Sequence, residues 1–233
     1  MARPAPRRPA PKGRPPRGGG PRNTSAAPNT GTRRNPTREK EGLGGEQVEG
    51  RQAVLELLKA RRRTIQKIYV ADQQDSSEIL DEIEREAQRQ RVHIQIIAMA
   101  RLDREARTEG HQGVVAFCSR LDSVSLDVLL EHKHPFLLVC DGVTDPRNLG
   151  AMLRSADGAG VTGVVVPRHR AARISPSVTK TAAGAIEYLT FADVGGIPAA
   201  IDQMNKAGVP PWDSLVSPKT LFMTSTSEAF PWQ

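Results

Sequence analysis

Between Asp141 and Asp157 the chain reads D-G-V-T-D-P-R-N-L-G-A-M-L-R-S-A-D, its densest run of side chains able to bind or orient a polar substrate. The preceding Phe136–Cys140 is an unbroken apolar run, as a strand buried on both faces requires. It ends in Asp141-Gly142, where glycine permits a tight turn. Asp145 suits a helix N-cap, and Pro146 suits the first helical position, where a missing N–H costs nothing. Asn148 then falls in the first turn and Arg154 less than two turns further on. A polar loop at the carboxyl end of a parallel strand is where open α/β sheets place ligands. A plain strand–turn–helix with solvated polar residues fits the same letters.

Other basic groups follow. Arg168, His169, Arg170 and Arg173 cluster after the run ending at Val166, either as a clamp for phosphates or as a solvated loop. Arg61, Arg62 and Arg63 close a helical stretch, where cations suit the helix dipole, and RNA contact is the second reading. His132 and His134 flank Lys133 without a further ligand partner and read as surface residues. The chain has no phosphate loop, no G-x-G-x-x-G fingerprint and no nucleophile elbow. That argues against nucleotide hydrolases, dehydrogenases and methyltransferases built on a Gly-rich loop.

The elements that must position these groups alternate. Gln47–Ala60 has helical spacing, Ile65–Ala71 reads as a strand, Ser76–Arg89 as a helix and Val92–Ala98 as an alternating strand. A short helix over Met99–Arg107 and a strand over Gly113–Cys118 complete a small α/β unit at 46–118. A polar linker, 119–134, contains a helical turn. A second α/β pattern runs over 135–208: the Phe136 strand, a helix over Asn148–Ala159, strand Gly163–Pro167, helix Ser175–Ala185, strand Leu189–Phe191 and helix Pro198–Lys206.

Charge is unevenly spread. Residues 1–45 hold eleven Lys/Arg, two acids, nine Pro and eight Gly, a net of +9, whereas the other 188 residues carry 22 basic and 24 acidic groups, a net of −2. Such a segment buries too little apolar surface to offset its ordering entropy, so 1–45 is expected to be a disordered tail. It attracts phosphate backbones without sequence preference, or serves only to solubilise. No apolar run approaches the roughly 20 residues that span a membrane. Cys118 and Cys140 lie in apolar, strand-like runs without a C-x-x-C pattern, as buried free thiols of a reducing cytoplasm do, with no structural metal.

The run D-P-R-N-L-G-A-M-L-R-S-A-D strongly resembles the first signature of the SpoU/TrmH RNA ribose 2′-O-methyltransferases, N-x-G-x-x-x-R, with Asn148, Gly150 and Arg154 in register. Arg170–Glu187 is similar to a second family segment through Ser175-Pro176, Lys180, Gly184, Ala185 and Glu187. Glu49–Val54 and His111–Ala116 resemble the ends of the family's ribosomal-protein-like substrate-binding domain. The resemblance implies a small α/β substrate-binding domain followed by a knotted α/β methyltransferase domain. The reaction implied is methyl transfer from S-adenosylmethionine to a ribose 2′-hydroxyl, with ribosomal RNA the leading substrate and a homodimer the assembly. Catalytic roles then fall to Arg154 and Asn148, with Glu187 either fixing Arg154 through a bidentate pair or serving as a surface or capping carboxylate. RNA contacts fall to Arg168, Arg170, Arg173 and Lys180.

The resemblance weakens after Gly208. Two family motifs that complete the knot and most of the cofactor pocket, a Gly-Ser/Asn-Glu-x-x-Gly loop and a Ser-x-Asn-x-Ser segment, do not appear in Val209–Gln233, which is rich in Pro, Ser and Thr. The expectation is therefore an incomplete methyltransferase domain over 135–208, an atypical C-terminal segment, a sheet with an open edge, no cofactor-binding residues that can be named, and a chain inactive as it stands. A non-catalytic RNA-binding protein, or a fragment without a function of its own, are the alternatives.

Overall fold

The computed structural model describes residues 43–169 and 171–209 in full and 220–224 as backbone. Two sheets organise them. The first contains β1 (Gln47–Glu49), β2 (Ile65–Ala71), β3 (Ile94–Ile97) and β4 (Val114–Cys118) in the order β1-β4-β2-β3. Helices α1 (Arg51–Ala60) and α2 (Glu78–Arg89) cover one face, and α3 (Met99–Glu105) covers the other. Gln47–Glu49, expected as the start of a helix, is instead a strand antiparallel to Val115–Phe117. Gly50, at φ +99°, turns the chain out of β1, and helix starts only at Arg51. The buried carboxylate of Glu49 explains the strand. It accepts from Arg107 N at 2.7 Å, Thr108 N at 3.0 Å, the Thr108 hydroxyl and Gln47 Nε2 at 2.8 Å. A helix would turn it away from the loop it caps.

The second sheet has five parallel strands, in the order β5-β8-β7-β6-β9. They are β5 (Ser123–Val124), β6 (Leu137–Asp141), β7 (Gly163–Pro167), β8 (Phe191–Val194) and β9 (Thr220–Thr224). Residues of β6 alternate between faces, as a pleated strand demands. Leu138 and Cys140 pack with α5 (Pro146–Gly158) and α6 (Pro176–Thr181), whereas Leu137 and Val139 pack with α4 (Leu126–Leu130) and α7 (Ile197–Lys206). The helix expected over Ser175–Ala185 stops at Thr181, because Ala183 and Gly184 take positive φ of 50° and 94°, and a 3₁₀ turn follows at Ala185–Glu187. A Cβ on Gly184 would sit 2.3 Å from Glu56 Cβ, so the residue there must be glycine.

The C-terminal segment departs most from expectation. The edge of β6 is not open: Thr220–Thr224 runs parallel to it, with Leu137 opposite Thr220 and Asp141 opposite Thr224. The T-L-F-M-T run, with no helical stripe and little length, is a five-residue strand whose partner lies about 80 positions earlier in the chain. β5, inside the expected linker, likewise joins this sheet beside β8. No helix among the described residues is long and apolar enough to cross a membrane.

Candidate functional site

Helix α5 starts where the letters place it. Asp145 Oδ1 accepts from Arg147 N at 2.9 Å and Pro146 stands in the first turn. Gly142, at φ +63°, makes the turn out of β6. Leu149, Gly150, Leu153 and Ala156 form the buried stripe. Gly150 is the contact with α6, since a Cβ there would lie 2.6 Å from Thr181 Cβ and 2.9 Å from Val178 O. The glycine of the signature is thus a packing requirement that brings α5 and α6 together. On the opposite face Arg147, Asn148, Ala151, Arg154 and Ser155 are exposed. At 3.6 residues per turn Arg147 and Arg154 share one stripe, and Asn148 and Ser155 the next. Among the described residues, the side chains of Asn148 and Arg154 have no hydrogen-bond or ion-pair partner. Arg147 joins this face without having been singled out in the sequence. Its only signal is its place directly before Asn148.

Glu187 does not meet Arg154. Its carboxylate is buried and pairs bidentately with Arg63, Nε donating to Oε2 at 2.9 Å and Nη2 to Oε1. Burial raises the affinity of this carboxyl for its proton, while Arg63 and then Arg62 pull the other way. Arg62 donates to the carbonyls of Glu187 at 3.0 Å and Leu189 at 3.1 Å, and Arg63 also donates to Gly45 O at 2.7 Å and Ser119 O at 3.2 Å. The arginines at the end of α1 therefore tie the first sheet to the second. Their predicted helix-end position is right, but the dipole is not what they serve. Arg63 takes Glu187 because it is buried with it at the sheet junction, where its planar fork meets both carboxylate oxygens, whereas Arg154 faces solvent.

The basic residues expected on RNA fall into two kinds. Arg168 is held by Asp193, Nε to Oδ2 at 3.0 Å, and Asp193 in turn accepts from Ser123 at 2.8 Å. Lys180 donates to Glu109 O, bridging α6 to the loop after α3. Both act within the fold. Arg173 is exposed beside a cavity at the sheet junction. Arg170 lies outside the described residues.

In a parallel sheet, ligands sit beyond the carboxyl ends of the strands, where the strand order reverses. Here that point lies between β6 and β9, since β7, β8 and β5 extend from the other edge of β6. Asp141, Gly142 and the start of α5 flank it. One strand away, the cavity lined by Val166, Ala172 and Asp193 holds only about 30 Å³, room for a water and not for a nucleoside.

This fold and solvent-facing α5 define a parallel α/β protein with a polar site at a strand-order switch. Comparison with known proteins narrows the class. Residues 47–124 match the family described as RNA 2′-O ribose methyltransferase substrate binding, and residues 135–225 match the SpoU rRNA methylase family. The second match includes β9. The chain is 34% identical over 168 residues to the 23S rRNA (guanosine-2′-O-)-methyltransferase RlmB of Coxiella burnetii, covering 70% of this chain and 66% of that protein. It is 34% identical over 165 residues to the RlmB of Pasteurella multocida, covering 69% and 67%. With the Vibrio cholerae RlmB it shares 40% over 122 residues, covering 51% and 49%. Two solved structures share the fold. One is an RNA 2′-O ribose methyltransferase, with a TM-score of 0.57 and 20% identity over 76% of this chain and 70% of that one. The other is the SpoU methyltransferase AviRb from Streptomyces viridochromogenes in complex with AdoMet, with 0.54 and 23% over 69% and 59%. The chain belongs to the SpoU family of RNA methylases. It spans between half and two-thirds of the length of these curated relatives.

Proposed function

We propose that the chain methylates ribose 2′-hydroxyls of ribosomal RNA in the cytoplasm, with S-adenosylmethionine as the donor and a homodimer as the working form. The observation that carries this reading is the solvent-facing pair Asn148 and Arg154, unpartnered and set at the switch point of a parallel sheet. A 2′-hydroxyl is a poor nucleophile, because its proton is tightly held at neutral pH. The site must place it in line with the methyl group and stabilise the charge that develops on its oxygen. Arg154, whose guanidinium keeps its proton, orients the hydroxyl and a neighbouring phosphate. Asn148 offers one donor group and one acceptor to the ribose. The donor, when bound, supplies the electrophilic methyl group. Glu187 stabilises the fold and has no part at the ribose. Because β9 fills the edge that the sequence left open, the expectation of inactivity loses one of its grounds.

A second reading, RNA binding without catalysis, is favoured by the small size of the cavity at β7. Incubating the chain with a 23S rRNA transcript and methyl-labelled S-adenosylmethionine separates the two. Alkali-resistant dinucleotides carrying label support methylation of the ribose. Retention of the transcript without label supports binding alone.

A further inference from the structure

The two faces of the first sheet differ in charge. On one, α2 carries Glu78, Asp81, Glu82, Glu84 and Glu86 against Arg85 and Arg89. The cations beside those acids are paired: Lys59 of α1 meets Glu82 at 2.9 Å, Arg61 meets Glu86 at 3.5 Å, and Arg89 meets Glu86 at 2.5 Å. On the other face lies α3, which at seven residues is too short to cover the strands. Its Leu102 packs in one cluster with Tyr69, Ala71, Ile97 and Val115, but Lys67, Phe117 and Gln95, on the same face, stay half-buried. Lys67 stands opposite Phe117 across β2 and β4, and Gln95 opposite Tyr69 across β3 and β2.

Cations gather over this half-open face without acids to match them. The Lys67 ammonium donates to the Tyr69 hydroxyl at 2.6 Å and stands 4.5 Å from the centre of the Tyr69 ring and 4.7 Å from that of Phe117. The Arg101 guanidinium stands 5.8 Å from the same Tyr69 ring. Arg104, three residues further along α3, is exposed beside Arg101. Among the described residues, none of these three cations has a carboxylate within ion-pair distance. The acids of α3 do not serve them: Asp103 is taken by His111 at 2.9 Å, and Glu105 makes no ion pair. Aromatic rings attract cations and fix where they stand, but leave their charge uncompensated, and two like charges over one ring repel. An anion from outside relieves that repulsion. The ammonium still has two N–H groups to offer it, and the guanidinium a planar fork.

We propose that the RNA backbone lies against this face, with one phosphodiester on Lys67 and Arg101 and a neighbouring one on Arg104. The proposal rests on the reading that RNA is the substrate, and it names the surface that holds it. The acids of α2 repel a polyanion from the opposite face, so the RNA approaches from the α3 side. Such phosphate contacts fix register and orientation without reading sequence.

The test is a salt titration of binding between the full chain and a 23S rRNA transcript. Each lost phosphate contact lowers the slope of log affinity against log salt by roughly 0.7–0.9. Lys67→Met with Arg101→Met keeps an apolar stem against each ring and removes both charges, and should flatten the slope by about 1.5. Arg104→Gln, at an exposed position that nothing packs on, should flatten it by about 0.7–0.9 with an unchanged melting temperature, and it decides the matter if the double variant fails to fold. Arg85→Gln, the same loss of charge on the α2 face, should leave the slope less changed. A wild-type slope in Arg104→Gln and in a folded double variant overturns the proposal while leaving RNA binding intact, and reduces Lys67 and Arg101 to packing on the rings. An equal fall in Arg85→Gln overturns it as well, because the RNA then answers to net charge and not to this face. Failure of the wild-type chain to bind the transcript overturns the functional reading itself and the proposal with it.

Discussion

Replacing Arg63 with alanine isolates the junction between the sheets. Its guanidinium is 4% exposed and the Glu187 carboxylate 1%, so neither has water to fall back on. Removing one partner of a buried pair typically costs about 3–5 kcal/mol, because the other charge stays buried and unpaired. Glu187 can escape by taking up a proton, and that sets a ceiling on its share. Protonating a carboxyl with an ordinary value of 4.5 at pH 7 costs about 3.4 kcal/mol, at about 1.36 kcal/mol for each pH unit. Losing the hydrogen bonds to Gly45 O and Ser119 O adds about 1 kcal/mol. The expected loss at pH 7 is thus about 4 kcal/mol. The variant's native state holds a proton on Glu187 that its unfolded state releases above pH 4.5. Its stability therefore recovers as pH falls, by about 2–3 kcal/mol between pH 7 and pH 5. Urea unfolding of both proteins at the two pH values measures this. Arg63→Met with Glu187→Met should regain much of the loss, since no buried charge remains. A loss below about 1 kcal/mol that does not change with pH would refute the reasoning, showing that water reaches the pair.

Further outcomes follow from the structure and from the sequence. Gly150→Ala forces a Cβ to within 2.6 Å of Thr181 and should lower stability by about 1–3 kcal/mol, readable as a fall in melting temperature; a wild-type value would mean that α5 and α6 can part freely. Burial pushes the thiol of Cys118 up to about 11 and that of Cys140 up to about 12, so at pH 8 the native chain should react with a disulfide reagent only as fast as it opens. Both folded values lie above the ordinary 9.0, so the thiols contribute stability that is fully present below pH 9 and lost as pH rises towards 11–12, which a urea midpoint series would follow. Deleting residues 1–42, whose eleven basic and two acidic residues give the segment a local net charge of +9, should flatten the salt dependence of RNA binding, and an unchanged slope would remove the tail from the interaction.

What could be read from the letters was local. Asp145 and Pro146 announced the start of α5, the apolar run at Leu137 announced β6, and the resemblance placed Asn148 and Arg154 together on one helix. All of these depend on residues within one or two turns of each other. What could not be read was pairing at a distance. Glu187 and Arg63 are 124 positions apart, and nothing in either neighbourhood distinguishes Arg63 from Arg154 as the partner. Gln47–Glu49 has a helical pattern as letters but becomes a strand, because Glu49 caps a loop about 58 residues later. The strand at Thr220–Thr224 is too short to announce itself without β6 beside it.

The most direct test of the account is Arg154→Ala, compared with the wild-type chain for binding and for methylation of the same 23S rRNA transcript. The side chain is exposed and makes no contact that the fold needs, so folding should not change and affinity should fall only by the one phosphate contact it supplies. Methyl transfer to the ribose should fall by at least about a hundredfold, as loss of an oriented charge at a reacting oxygen does. Equal labelling by the two proteins would contradict the claim that the α5 face holds the reacting ribose. Transcript binding without label from either would replace it with RNA binding alone.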